Sequence, residues 1–587
     1  MKDRDVIENW LEKQLYANKE YLCYTSFNSY LREEFGIQYA DTLQGCVQRY
    51  ILLQWYYYQQ MGYVCTTIQD LLSPSSLFSD LFKRLKGEEW TNDFVLELLQ
   101  NLPFKGDFRP FILEEDRLYM HRYWDYERFI TDWINRGTEF STVYFEDAKR
   151  LYSQRDYEDW VREHFKELDE AKLSVLLHLF DTRLSIITGG PGTGKTYTLE
   201  KILRVCHHWF PNKRVYLAAP TGKAAKRMGQ SISIDFKDIY GAPTTIHKML
   251  EVQWDGIFRR TEKRKLSADL VIIDEASMVD IDLFYHMLKA LKDDTQLVLL
   301  GDHHQLESVE AGSLLGDLCS IGAESTQLSL PYQVFELYRV YRQTESSHIP
   351  ELAESIKMGN VDLVKHILKD VSKVDVNWIE SNLNINSHVS LLHSWAEHDL
   401  SYLQDLKLGD SSIEVAQIES YKVLSPHRVG SFGCDTFNRI MDQRNRQLYP
   451  QKNLSLWYVG RPIIIQVNDP NTKLYNGDIG VCTAIDPDRI TKLDDGEEDI
   501  LVSRLPHYEL AYALTIHKSQ GSEFDHVLVI LHPEDSLLHT RELLYTAVTR
   551  AKKSITILAT EEQLKKAVST RTNRRSGLIK KLTQKLI

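Results

Sequence analysis

Eight consecutive residues, Gly189-Gly190-Pro191-Gly192-Thr193-Gly194-Lys195-Thr196, have the types and spacing needed to hold a triphosphate. Glycines let the backbone curl its N–H groups around a β-phosphate at a helix N-terminus. Lys195 would bring charge to the β- and γ-phosphates, and the Thr196 hydroxyl is suited to ligate magnesium. A second segment, Val271-Ile272-Ile273-Asp274-Glu275-Ala276-Ser277, follows about eighty residues later. Asp274, at the end of the apolar run, would hold the magnesium, and Glu275 would polarise an attacking water. An Asp-Glu pair after an apolar run is by itself a common start to a solvated loop. Following a complete phosphate loop, it implies a nucleoside triphosphatase with ATP and Mg2+ as the expected cofactors.

Such loops must be presented by a sheet. From about residue 184, short β-rich runs (184–188, 215–219, 270–273 and 297–300) alternate with amphipathic helical stretches. That alternation predicts a parallel sheet covered by helices, hence an α/β fold. The pattern returns at 527–530 and 554–558. Between the two halves, about 455–508, Gly and Asp punctuate short strand signals (462–467 and 480–485), which read as a small β insert. The first ~115 residues are rich in Tyr, Trp and Leu, as in 50–58, with helical apolar spacing.

The bulk composition sets outer bounds. A chain of 587 residues exceeds what one core supports, so three to five domains are expected. With 43% hydrophobic and 26% charged residues it is an ordinary globular composition, not a disordered one. No apolar run approaches the ~20 residues that span a bilayer, and Met1-Lys2-Asp3-Arg4-Asp5 opens no signal-peptide core. The seven cysteines include no Cys-x-x-Cys pair, so neither a zinc ribbon nor an iron–sulfur cluster is indicated, and a cytoplasmic setting fits. The net charge of −13 disfavours nonspecific coating of nucleic acid but allows a single strand in a local basic groove.

Phosphate loops also serve kinases, GTPases and transporters, so the reaction depends on the remaining segments. Residues 301–309 (Gly-Asp-His-His-Gln-Leu-Glu-Ser-Val) resemble helicase motif III, 219–225 (Ala-Pro-Thr-Gly-Lys-Ala-Ala) motif Ia, and 245–250 (Thr-Ile-His-Lys-Met-Leu) the next DNA-contacting motif. In the second half, Tyr341-Arg342-Gln343 resembles motif IV, 514–523 (Leu-Thr-Ile-His-Lys-Ser-Gln-Gly-Ser-Glu) motif V, and 545–551 (Tyr-Thr-Ala-Val-Thr-Arg-Ala) motif VI. The set resembles superfamily 1 helicases. The resemblance implies two RecA-like domains, a γ-phosphate sensor at Gln305, and arginine fingers at Arg342 and Arg550 placed across a cleft. It also implies DNA contacts at Pro220, Thr221, Thr245, His247, Thr515, His517 and Lys518.

The wording of the motifs is closest to the RecD family. Residues 310–317 (Glu-Ala-Gly-Ser-Leu-Leu-Gly-Asp) and 424–430 (Leu-Ser-Pro-His-Arg-Val-Gly) resemble it, as do 460–464 and 474–480, which resemble its SH3-like insertion, and more loosely 116–124. The resemblance covers most of 184–560 and implies 5′ to 3′ movement on single-stranded DNA beside RecB- and RecC-like partners at duplex ends. A stand-alone RecD-like repair helicase is the alternative. The Gly-hydrophobic-Gly turns of its helix-hairpin-helix elements are not seen in 1–150. A subunit that binds nucleotide without turnover is disfavoured by the full set of site residues, and no cluster outside the motifs calls for a nuclease.

Asp255-Gly256 is a hairpin turn signal within a basic, aromatic stretch. It reads either as a pin at 251–265, with Trp254 or Phe258 stacking on a base, or as a plain hairpin whose aromatics pack on their own domain. Relatives carry an adenine-reading glutamine some seventeen positions before the phosphate loop. Here Lys172 stands at that place and 167–188 contain no glutamine. Either another group reads the base or discrimination is relaxed, with ATP as the default. The expected division is a helical N-terminal domain at 1–115 that could dock a partner, a linker at 116–165, RecA-like domains at 166–325 and 326–587, and the SH3-like insert at 455–508.

Overall fold

The computed structural model describes residues 6–17, 22–36, 40, 42–75, 77–85, 90–103, 110–137, 154–253, 255–308, 310–324, 330–341, 347–380, 420–448, 457–469, 471–472, 474–485, 488–492, 499–531, 536, 538–572 and 574–584. Among them, no helix is long and apolar enough to cross a membrane.

The N-terminal domain is built around the helix Leu43–Gln60, in which Tyr50, Ile51, Leu52, Leu53, Trp55 and Tyr57 are all buried. A helix enclosed on nearly every side has no single apolar stripe, which explains the unbroken run of large side chains in the sequence. The aromatics of this region therefore mainly fill its own core. The domain also contains a three-stranded antiparallel sheet that the helical reading did not include, with β1 (Cys65–Thr67), β2 (Phe111–Glu114) and β3 (Arg117–Met120) in the order β1-β3-β2.

The first α/β domain carries six strands: β4 (Leu184–Gly189), β5 (Val215–Ala219), β6 (Thr244–Thr245), β7 (Leu270–Ile273), β8 (Gln296–Gly301) and β9 (Gln333–Leu337). They pair in parallel in the order β6-β5-β7-β8-β4-β9. Alternate residues feed two different cores. Ile186, Val271, Ile273, Leu297 and Leu299 face one, and Ile187, Leu270, Ile272, Val298 and Leu300 face the other. A strand buried on both faces reads as a continuous apolar run, which is why these strands were visible in the sequence.

The second α/β domain has β10 (Val376–Glu380) and β11 (Tyr421–Ser425) before the insert. The insert contributes β12 (Pro462–Ile465), β13 (Ile479–Ile485), β14 (Asp488–Lys492), β15 (Asp499–Leu501) and β16 (Tyr508–Leu510) as an antiparallel sheet of order β15-β14-β13-β12-β16. After it come β17 (Ala513–Thr515), β18 (Phe524–Ile530) and β19 (Ala551–Ala559), completing a parallel sheet of order β10-β19-β18-β11-β17.

Three boundaries differ from those expected. Within the stretch read as a linker, 116–165, residues Arg117–Met120 form the central strand of the N-terminal sheet and His121–Asn135 a helix. That helix packs on the first α/β domain through Tyr126, stacked 4.2 Å from Tyr285, and through buried Trp133 and Ile134. Residues 138–153 lie outside the described residues. The first sheet also reaches past 325, because β9 pairs with β4 at its edge. Finally, residues 574–584 leave the second domain: Leu578 and Leu582 are buried in the first domain's core.

Candidate active site

The C-terminal ends of parallel strands are where α/β sheets present ligand-binding loops, and the expected residues gather there. The phosphate loop follows β4. Gly194 precedes the helix Lys195–Trp209 with φ 89° and Gly192 has φ 78°, left-handed conformations that favour glycine. At Gly189 a Cβ would lie 2.8 Å from both the Leu337 carbonyl and Thr193 Oγ1, so no side chain fits. The Lys195 ammonium donates to the carbonyls of Gly189 and Gly190, the latter at 3.1 Å. Asp274 follows β7 directly, and Glu275 beside it adopts φ 53°, an uncommon conformation for a non-glycine residue. Burial, then the charge of Glu275, push the Asp274 carboxyl above its usual range.

Lys195, Thr196, Asp274, Glu275, Gln305 and Arg550 line one cavity of about 390 Å³. Arg550, immediately before β19, crosses from the second domain: its Nη2 donates to Gln305 Oε1 at 3.0 Å. Its other bonds go to the carbonyls of Thr546 at 3.0 Å and Ser522 at 3.2 Å and to the Thr549 hydroxyl at 3.3 Å, so the fork is fixed at only 2% exposure. Burial lowers its pKa. Gln305 in turn donates to Asp302 Oδ2 at 3.0 Å, which also accepts from the Tyr545 hydroxyl at 3.1 Å. The Leu306 N–H donates to Thr546 Oγ1 at 2.8 Å. Arg342 lies outside the described residues.

Arg227 and Tyr341 are among the cavity residues to which the sequence assigned no role. Arg227, on the helix Gly222–Ser231, donates to Glu523 Oε1 at 2.7 Å and to the Gly521 carbonyl at 3.1 Å, bridging the two domains. Burial opposes its charge, but Glu523, Glu275 and Asp274 outweigh that and raise its pKa. Tyr341 lines the same cavity, its N–H donating to the Gly192 carbonyl at 2.8 Å. Beside it, Lys172 is 2% exposed, ion-paired with Asp169, and its ammonium lies 4.2 Å from the centroid of the Tyr341 ring. The Tyr341 hydroxyl also donates to Asp169, whose carboxyl is held down at about 2: burial opposes this, and the bonds from Lys172 and Tyr341 prevail.

The residues expected to touch DNA lie at the C-terminal ends of other strands of the two sheets and do not line this cavity. Pro220 and Thr221 follow β5, Thr245 ends β6 with His247 exposed beyond it, and Thr515 ends β17. Thr221, Thr245 and Thr515 accept from the backbone N–H three residues on, at 3.2, 3.1 and 3.3 Å. Each caps a helical turn and keeps its hydroxyl hydrogen for another acceptor. His517 is half-buried, and burial with the charge of Arg574 lowers its pKa. Lys518, expected on DNA, donates instead to Gln466 at 2.8 Å and Glu509 at 2.9 Å, tying β17 to the insert. The insert also reaches the first domain: a Cβ on Gly222 would lie 3.6 Å from Tyr475 Cβ. The hairpin turns at Gly256, φ 80°, with the Gln253 N–H donating to the Ile257 carbonyl at 2.9 Å. Phe258 stacks on His286 of its own domain at 4.2 Å and 10°, and among the described hairpin residues Ile257 is 60% exposed. Trp254 lies outside the described residues.

Residues 174–311 match the family described as AAA domain, and residues 510–558 the family described as UvrD-like helicase C-terminal domain. The RecBCD enzyme subunit RecD of Mycolicibacterium smegmatis is 33% identical over 510 residues, covering 84% of this chain and 86% of that protein. The ATP-dependent RecD2 DNA helicase of Deinococcus radiodurans is 28% identical over 412 residues, covering 67% of this chain and 50% of that protein. Among solved structures, one described as DNA unwinding at forked duplex by two coordinating Pif1 helicases aligns with a TM-score of 0.40 and 20% identity, covering 68% of this chain and 94% of that one.

Proposed function

The chain belongs to the RecD family, and from that premise we propose that it is an ATP-driven DNA helicase working as one subunit of a RecBCD-type complex on double-strand ends. Movement is 5′ to 3′ along single-stranded DNA, and the partners are RecB- and RecC-like chains. The observation that carries the reading is the Arg550 to Gln305 hydrogen bond at 3.0 Å, which brings a cation of the second domain onto the phosphate site of the first.

Lys195 and the loop N–H groups bind the β- and γ-phosphates, and Arg550, with Arg342, neutralises charge developing on the transferred phosphoryl group. Glu275 orients and polarises the attacking water. Thr196 and Asp274 supply a hydroxyl and a carboxylate, two oxygen ligands that suit magnesium held chiefly by phosphates and water. When bound, that ion neutralises phosphate charge. Because the cavity is lined from both domains, ATP draws them together and hydrolysis releases them. Threonine hydroxyls at the ends of β5, β6 and β17 then hold and release the strand's phosphates in turn.

A stand-alone helicase is the weaker reading, since the RecD2 relative matches at lower identity and over less of both chains. The test is phosphate release with and without single-stranded DNA. Lys195→Ala is expected to abolish it, and a variant that retains DNA-stimulated turnover would remove Lys195 from the site.

A further inference from the structure

After the helix Glu561–Ser569 the chain crosses between domains within two residues. Thr572 still belongs to the second domain: its N–H and hydroxyl each donate to Glu542 at 2.8 Å. Arg574 belongs to the first. Its guanidinium donates to the Ser308 carbonyl and, at 2.9 Å, to the Glu310 carbonyl, and it lies 3.6 Å from the Glu307 carboxylate. The segment beyond is anchored firmly. The Arg575 carbonyl accepts from the N–H groups of Val64 and Cys65 at 3.0 and 3.2 Å, and its side chain pairs with Asp70 at 2.9 Å. The Gly577 N–H donates to Glu127 at 2.8 Å, and Lys581 donates to Glu127 at 2.9 Å.

The carbonyls that Arg574 clamps lie three and five residues beyond Gln305. The same loop is gripped from the other side by the second domain. Thr546 accepts from the Leu306 N–H, and Gln520 donates to the Leu306 carbonyl, both at 2.8 Å. Gln520 immediately follows the turn His517–Ser519, and His517 is close enough to Arg574 to feel its charge. Arg574 thus holds the loop that carries Gln305, and Gln520 ties that loop to the turn His517–Ser519. Two residues of chain span at most about 7 Å. Thr572 and Arg574 therefore stay within that distance of each other however the second domain moves.

We infer that Arg574 is a positioning residue that couples nucleotide state to DNA grip by holding the 305–310 loop on the first domain as the second domain moves. This rests on the motor reading above. With the loop fixed, opening the cleft breaks the Thr546 and Gln520 contacts together. With the loop released, it follows the second domain and the two sites lose their linkage.

The test uses the intact chain and its Arg574→Ala and Arg574→Lys variants. Single-stranded DNA affinity is measured with and without a non-hydrolysable ATP analogue, and ATP turnover with and without DNA. For Arg574→Ala, the factor by which the analogue changes DNA affinity is expected to fall about 5-fold or more. DNA stimulation falls with it, and turnover with DNA falls by a larger factor than turnover without DNA. A lysine cannot reproduce a fork that reaches two carbonyls and a carboxylate, so Arg574→Lys shows a partial loss, and it decides the matter if the alanine variant does not fold. Wild-type coupling in both variants overturns the inference alone, as does an equal loss of turnover with and without DNA. A wild-type chain whose turnover ignores DNA overturns the motor reading and the inference with it.

Discussion

Arg550 is held by four groups, and three of them lie in its own domain. The carbonyls of Thr546 and Ser522 and the Thr549 hydroxyl aim the guanidinium at Gln305. Arg550→Lys keeps the charge but not the fork, and turnover with DNA is expected to fall about 1000-fold, the scale of a lost arginine finger. Turnover within a few-fold of wild type would place the transition-state cation elsewhere. Lys172 bears on nucleotide choice. Its ammonium is committed to Asp169 and the Tyr341 ring, so the Lys172 position offers no paired amide donor and acceptor to read a base edge. GTP is expected to be hydrolysed with kcat/KM within about tenfold of ATP, since selection without matched hydrogen bonds is weak. A preference far beyond that would mean another group reads the base. The phosphate loop was legible in the sequence because phosphate geometry fixes its spacing. Arg227 was not: on a short helix its charge resembles any solvated face until folding brings Glu523 to it.

The hairpin, the sheets and the C-terminal segment carry the element-scale consequences. With Phe258 packed on His286, Ile257 is an exposed apolar residue of the hairpin among those described. Ile257→Asp is expected to slow duplex unwinding roughly tenfold, about the effect of one lost wedge contact. ATP turnover on single strands should stay unchanged, and equal effects on both would argue against a role at the junction. In the helix Leu314–Glu324, burial pushes the Asp317 carboxyl up to about 8, with Glu307 and Glu127 adding to it and the Ser576 hydroxyl opposing. The native state then keeps a proton that the unfolded chain, titrating near 3.8, has lost. The contribution of this carboxyl to stability is therefore most favourable at the acid end of that window and declines as pH rises toward about 8. Asp317→Asn should melt above wild type by a margin that widens as pH rises through this range, and a constant margin would contradict it. Strands buried on both faces announced themselves as apolar runs. The N-terminal sheet did not, because its strands of three and four residues are too short to show a period. The contacts of 574–584 join residues more than 250 positions apart, which no local pattern encodes.

At the scale of the whole molecule, sequence alternation indicated two parallel sheets and an insert, but not how they face each other. That arrangement depends on side chains such as Arg227, Arg550 and Tyr475 reaching across domains, and on Thr572 bonding to the second domain while Arg574 bonds to the first. The excess of acidic residues disfavours DNA spread over the whole surface and allows a single strand in a local basic groove. The proposed 5′ to 3′ polarity rests on family resemblance. The most direct test of the central claim is strand displacement by the purified chain, with ATP, on duplexes bearing a single-stranded tail at either the 5′ or the 3′ end. Unwinding confined to the 5′-tailed substrate is the expected result. Unwinding confined to the 3′-tailed substrate would contradict the RecD-type motor proposed for this chain.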